Sequence, residues 1–493
     1  MTNHGTTGAL PDTLDPSDWE ALRALGRRMV DDMLQYLQTV RDRPVWQPIP
    51  ATVTASFKEP LPHASTDAES VYEDFRSRVL PYPTGNVHPR FWGWVMGNGT
   101  PGAMLADMLA SGINLNQGGG QQSGSLVEAQ VIAWCKEMFG FPADASGLLV
   151  SGGSVANLTG LAVARNARAG YDIRAEGLQG AHPPMRVYAS SEVHSSVHKA
   201  MELLGLGRKA LCLIPVGADY RIRVEDLRRA VREDRAHGVH PLCIVGCAGT
   251  VNTGAIDPLN ELADFCVAEG IWYHVDGAFG GLAVLAPELR DRVRGIERAD
   301  SIAFDMHKWM YLPYEIGATL VRDKEIHHRA FAFVPDYLEH GTRGLAGSDL
   351  WFSDYGIQLS RGFRALKAWM AIKEHGVDRI GRIIHRNVEQ AAYLAGLVRA
   401  EPELELLAPV PLNIVCFRYR GNLLDGEQLN ELNKELLLRL HESGVAAPSY
   451  TVLEGKYAIR VANTNYRSTQ EDFDILVREV LRLGRVLSDD PGV

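Results

Sequence analysis

The stretch Trp272-Tyr273-His274-Val275-Asp276-Gly277-Ala278-Phe279 decides the fold. A short apolar run delivers a carboxylate to its end, and small residues follow at once. That pattern reads as a buried strand opening into a loop. Apolar runs of the same kind recur on both sides, at 186–189, 210–215, 242–246, 301–304 and 318–321. Helical patterns separate them, such as 224–237 and 258–269. Strand, helix, strand in repetition specifies an α/β fold with a mostly parallel sheet covered by helices. Such sheets bind ligands beyond the carboxyl ends of their strands, so chemistry is sought there.

Four features fall at such ends. Ser151-Gly152-Gly153-Ser154 is a glycine turn opening a helix that runs to about residue 168. Its backbone amides and the helix N-terminus suit an anion. His194, in Ser190-Ser191-Glu192-Val193-His194, can stack on an aromatic ring. Asp276 ends its strand beside Gly277 and Ala278, which leave room for a flat ring. Lys308 follows the 301–304 run, between His307 and Trp309, where apolar surroundings would lower its proton affinity and make it a nucleophile. Each feature alone has an ordinary structural explanation: a turn, a cap, a surface lysine. Together they are the set pyridoxal 5′-phosphate (PLP) requires, namely a lysine, a carboxylate for the ring nitrogen and an anion cradle. At about 4 Å and an effective dielectric of about 20, an Asp–pyridinium pair gains roughly 4 kcal/mol, enough to keep the ring nitrogen protonated. A nicotinamide cofactor fits less well, because the glycine turn lacks G-x-G-x-x-G.

With those residues in hand, the sequence resembles the group II PLP decarboxylases, the family of aromatic-L-amino-acid and glutamate decarboxylases. The resemblance runs from His88-Pro89-Arg90-Phe91 and Met104-Leu105-Ala106-Asp107-Met108-Leu109 to the C-terminal region. Its most specific pieces are His274-Val275-Asp276-Gly277-Ala278 and His307-Lys308-Trp309. It implies fold type I, with Lys308 carrying the cofactor as an internal aldimine. It further implies that Asp276 pairs the pyridinium, that His194 stacks on the ring, and that Gly153 and Ser154 hold the phosphate. Thr250 and Ala278 would contact the ring region, with His307 near the phosphate. Phe333-Val334-Pro335-Asp336-Tyr337-Leu338-Glu339-His340 resembles the family's mobile loop, whose tyrosine, here Tyr337, protonates Cα after carbon dioxide leaves. Glycines 341, 344 and 347 would let it move. Members with phenylalanine at the tyrosine tend to be aldehyde synthases, so Tyr337 favours decarboxylation to the amine. Oxidative decarboxylation to an aldehyde is the alternative.

Two departures from the family stand out. Asp305 replaces the asparagine usual near the phosphate, and is expected to face another donor. The polar, glycine-rich stretch 114–122 replaces apolar and aromatic residues. Trp92 and Trp94 lie beside the region that family members use for the side-chain pocket, although burial preference favours a packing role for tryptophans in a wrapped arm. An aromatic amino acid is the expected substrate, with an acidic or aliphatic one as the alternative. The family's intertwined homodimer with shared active sites is implied as well.

The rest of the sequence frames this reading. At 493 residues the chain exceeds one core. It divides into an N-terminal helical arm (1–99, its first fifteen residues disordered), a large PLP-binding domain (100–368) and a small C-terminal α/β domain (369–493). The arm's helix begins with a capping-box pattern, Ser17-Asp18-Trp19-Glu20, and carries an apolar stripe through Trp19, Leu22, Met29, Met33, Leu37 and Val40. A net charge of −10, from 50 basic and 60 acidic residues, argues against nucleic-acid and anionic-membrane partners. The six cysteines are expected reduced and buried, without metal. No secretory signal or membrane span is visible, and a cytoplasmic protein is expected.

Overall fold

The computed structural model describes residues 13–333, 341–420 and 426–489. Two compact units divide the chain: one runs through Arg43 and from Pro48 to Thr84, the other takes Pro44–Gln47 and everything from Gly85 onward. In the first unit the helix Trp19–Gln38 is capped by Asp18, whose carboxylate accepts the backbone N–H groups of Glu20 and Ala21 at 2.9 and 3.0 Å. The expected Ser17–Glu20 box gives way to this anion, which the positive helix end favours more than a hydroxyl. Within this helix Leu25 is buried, while Trp19 and Leu22 stay exposed, so much of the apolar stripe remains uncovered.

In the second unit β1 (Phe91–Trp92) comes first. Seven strands then build the large sheet: β2 (Ser146–Val150), β3 (Met185–Ser190), β4 (Leu211–Ile214), β5 (His240–Cys247), β6 (Trp272–Asp276), β7 (Ser301–Asp305) and β8 (Gly317–Val321). Their order is β2-β8-β7-β6-β5-β3-β4. All pairs are parallel except those that β8 makes with β7 and β2. Because β8 is antiparallel to both neighbours, β2 runs in the same direction as β7. The carboxyl ends of β2, β3, β5, β6 and β7 therefore lie along one edge. β4 adds outside β3 while β5 adds on its other side, so the order reverses there, which is where doubly wound sheets hold ligands. The six apolar runs all form strands, and their near-continuous Val, Ile and Leu content matches burial on both faces. The arginine-rich 224–237 pattern is a solvated helix, Val224–Ala236, whose acids pair with Arg228 and Arg229.

After residue 400 come β9 (Leu404–Leu406), β10 (Ile414–Tyr419), β11 (Ala447–Leu453) and β12 (Lys456–Ala462). They form a second sheet ordered β1-β11-β12-β10-β9, in which β1 pairs in parallel with β11. Trp92 is 1% exposed there, stacks on Phe473 at 4.8 Å and donates its indole N–H to Ser468 Oγ. Its expected role in a substrate pocket is corrected: it is a core residue of the C-terminal sheet. All six cysteines are free, five of them buried and Cys212 half-buried. Among the described residues there is no cluster of three metal-binding side chains and no helix long and apolar enough to cross a membrane.

One buried histidine gives a stability test. His327 is fully buried, with Nδ1 2.8 Å from Ser146 Oγ and Nε2 2.9 Å from the Tyr355 carbonyl. The carbonyl can only accept, so Nε2 carries the proton and Nδ1 receives the Ser146 hydroxyl. Burial lowers its pKa to about 3. The unfolded chain therefore takes up this proton near pH ~6.5 and the folded chain only near 3. Stability from this group is complete above the unfolded pKa and falls with pH between those limits, by on the order of 1 kcal/mol per pH unit. Urea unfolding between pH 4 and 7 should show a shallower acid slope, by about one proton, in His327→Gln.

Candidate active site

At the common carboxyl edge lies a cavity of about 320 Å³, walled by Gly152, Gly153, Ser154, His194, Ala278, Asp305, His307 and Lys308 among others. Each β-strand end contributes for a local reason. Beyond β2, Gly153 starts the 16-residue helix Gly153–Arg168, whose free N-terminal amides border the cavity. A Cβ on Gly153 would sit 2.8 Å from Asp305 Oδ2 and 3.3 Å from Ala278 Cβ, so glycine alone leaves this cradle open. Beyond β3, His194 caps the helix Ser195–Leu203: its Nδ1 accepts the Ser196 amide at 3.2 Å and lies 2.9 Å from Ser196 Oγ. It is thus both a structural cap and a cavity wall. Burial pulls its pKa down, against the opposing charge of Asp276, which favours the neutral ring.

Asp276, at the end of β6, is buried. Its Oδ1 accepts the Ala278 amide at 3.1 Å and its Oδ2 accepts Asn157 Nδ2 at 3.0 Å. Lys308 sits on the short helix Met306–Trp309 after β7, with Nζ 2.8 Å from Asp305 Oδ2. Asp305 therefore does face another donor, as expected, and that donor is the lysine itself. Burial alone would lower the Lys308 pKa, but the charge and hydrogen bond of Asp305, helped by Asp276, outweigh it and raise it. The apolar lowering expected from sequence is reversed, because Asp305, 2% exposed, stands three residues away on the same turn. His307 lines the cavity with Nδ1 2.9 Å from the Ile316 carbonyl, and its own pKa is lowered by burial.

Other expected residues lie elsewhere. Thr250 is buried in the loop after β5, where its hydroxyl accepts the Ala255 amide and contacts Thr253; it is not among the cavity walls. Trp94 is 61% exposed with φ +51°, and its carbonyl accepts from Arg460. Tyr337 lies outside the described residues. Gly341 bridges Gly347, Gly344 takes φ +78°, and the Leu345 carbonyl accepts the Gln121 amide at 2.9 Å. Asn157 and Ser196 also line the cavity, with His274 and Ser301 behind them, and sequence reasoning gave none of the four a role.

The residues present fit PLP. A glycine cradle at a helix N-terminus, a neutral histidine and a lysine converge on one cavity, and the buried Asp276 carboxylate lies behind two of its walls, Asn157 and Ala278. Asp305 Oδ1, buried and without a hydrogen-bond partner, marks a wall still able to accept a donor. The fold and this site define a PLP enzyme of fold type I. Residues 50–420 match the pyridoxal-dependent decarboxylase conserved domain, and the chain belongs to that family of amino-acid decarboxylases. An aromatic-L-amino-acid decarboxylase from Bacillus atrophaeus is 34% identical over 95% of this chain and 96% of its own length. A phenylacetaldehyde synthase from Arabidopsis thaliana is 28% identical over 91% of this chain and 93% of its own. The crystal structure of Oryza sativa TDC with PLP and tryptamine superposes with a TM-score of 0.88 at 26% identity, covering 97% of this chain and all of that one.

Proposed function

We propose that this decarboxylase acts on an aromatic L-amino acid, releasing carbon dioxide and the amine. The observation that carries the reaction is the convergence of Lys308, the Gly153–Ser154 turn and His194 on one cavity, with Asp276 beneath it. Support for the aromatic side chain comes from the near full-length similarity to the Bacillus atrophaeus enzyme. When bound, PLP supplies a ring that takes up the electron pair left at Cα as the carboxylate departs. In this reading Lys308 holds the cofactor and Asp276 keeps its ring nitrogen protonated. The Gly153 and Ser154 amides hold its phosphate, with His307 beside them. His194 and Ala278 bound the ring, and Tyr337 delivers the proton to Cα. A screen of the purified holoprotein against twenty L-amino acids, following carbon dioxide and amine, tests the substrate. Tryptophan, tyrosine or phenylalanine should give the highest kcat/KM; preference for an acidic or aliphatic amino acid would overturn the aromatic reading.

Asp276→Asn keeps the shape and removes the charge. It should retain part of its PLP but lose about a hundredfold in kcat, because the charge matters most as electrons move into the ring. A kcat within a few-fold of native would reject the role.

The reading includes a cytoplasmic homodimer. Leu345 and Leu359, both exposed, flank the 114–122 stretch, and Met108, Leu109 and Ile113 are exposed on the helix Pro101–Ile113 that precedes it. Exposed apolar side chains grouped in this way favour association, and sedimentation equilibrium should give twice the chain mass.

A further inference from the structure

Behind the cavity runs a buried chain of hydrogen bonds whose direction follows from chemistry alone. The Asp276 carboxylate can only accept, so the Asn157 group facing it at 3.0 Å must be the amide Nδ2. Asn157 Oδ1 then faces His274 Nε2 at 2.9 Å, so that nitrogen must carry a proton. On the other side of the ring, His274 Nδ1 lies 2.8 Å from Ser301 Oγ, which already accepts the indole N–H of Trp272 at 2.9 Å. The Ser301 hydroxyl is thereby left to donate to His274. The second Asn157 amide hydrogen reaches Ser196 Oγ at 3.0 Å, which sends the Ser196 hydroxyl to His194 Nδ1 at 2.9 Å. His194 is left with its proton on Nε2.

Every member of this chain is buried except His194, which lines the cavity. The register that pairs His274 with Ser301 across β6 and β7 fixes one end. Gly160 makes room for the ring at that same end, because a Cβ there would stand 2.6 Å from His274 Cε1. Burial holds the His274 pKa down to about 3, so the ring stays neutral over the working range and keeps one proton to place.

We infer that His274 and Asn157 are positioning residues: they orient the Asn157 amide so that it donates at once to Asp276 and, through Ser196, to His194. The amide gives the Asp276 carboxylate a fixed donor and sets the His194 tautomer. This rests on Asp276 and His194 being the partners of the cofactor ring. Without the His274 donor the Asn157 amide loses its anchor and can turn its oxygen toward Asp276, setting two acceptors face to face where a donor stood.

The test uses His274→Leu, Asn157→Leu, His274→Gln and, as the reference, Asp276→Asn. PLP affinity is measured by titrating each apoprotein, and ring-nitrogen protonation by 15N NMR of bound, ring-labelled PLP. His274→Leu and Asn157→Leu should each raise the PLP dissociation constant about tenfold or more. Both should move the ring-nitrogen signal toward that of Asp276→Asn. His274→Gln, whose amide can donate from nearly the same position, should stay within about twofold of native. Thermal unfolding of the apoproteins identifies any variant that fails to fold, in which case the other leucine variant with His274→Gln decides. Native affinity and a native ring-nitrogen signal in a folded His274→Leu protein would overturn the inference, provided Asp276→Asn moves both. Should Asp276→Asn also leave both unchanged, it is the placement of Asp276 against the ring that fails, and the relay with it.

Discussion

The Lys308→Ala protein is expected to bind PLP without a covalent bond and to turn over on the order of 10⁴-fold more slowly than native. Borohydride should fix the cofactor to Lys308 in the native protein and to no residue in the variant, read by peptide mass. The geometry adds a second consequence that concerns the protein without its cofactor. Lys308 Nζ is 2.8 Å from Asp305 Oδ2, and Asp305 is buried with Oδ1 unpartnered. Removing the cation leaves a buried carboxylate with, among the described residues, His307 as the nearest potential cation, 3.8 Å away and with a pKa lowered by burial. Loss of one partner of a buried pair costs about 3–5 kcal/mol. Apo Lys308→Ala should therefore unfold at lower urea than native, and Lys308→Ala/Asp305→Asn should recover most of that loss. Turnover should recover in neither. A double variant no more stable than Lys308→Ala would show that the pair does not matter to the apoprotein.

The same pair shows what sequence can and cannot carry. The large sheet was legible because buried parallel strands are written locally, as apolar runs: all six runs became strands, several within one residue of their ends. β2 was hidden, since Ser146-Gly147-Leu148-Leu149-Val150 merges into the glycine turn that follows it. The cavity walls were legible for the same reason, since a strand end followed by small residues or a lysine is a local pattern. What depends on register was not. His274 and Asn157 are 117 positions apart, and only the packing of the helix Gly153–Arg168 on β6 brings them to 2.9 Å. The packing partner of Trp92 could not be read, because its short strand carries no signal that β11 lies more than 350 residues away. Asp305 and Lys308 were readable in principle, as an i, i+3 pair on one helical turn. Attention to apolar neighbours instead gave the wrong direction for the lysine.

Tyr337→Phe separates the two outcomes that this family supports. After carbon dioxide leaves, Cα must receive a proton for the product to be the amine, and a phenol is an acid of suitable strength to deliver it. The tyrosine stands in Phe333-Val334-Pro335-Asp336-Tyr337, between two described elements. On one side the helix Lys324–Phe331 packs on the large sheet's helix layer. On the other, the Gly341–Gly347 turn is tied through Leu345 to Gln121 in the polar stretch. Phenylalanine keeps the ring and removes the proton. Amine formation should fall about a thousandfold, the usual scale for losing a positioned acid. Dioxygen then reaches the electron-rich Cα first. One dioxygen and one water are consumed per turnover, and aldehyde, carbon dioxide, ammonia and hydrogen peroxide are released together. Amine, aldehyde and peroxide are quantified in parallel, under air and under nitrogen. Peroxide and aldehyde should rise in equal amounts under air and vanish under nitrogen. Native amine rates with no peroxide in the Tyr337→Phe protein would assign the proton to another group.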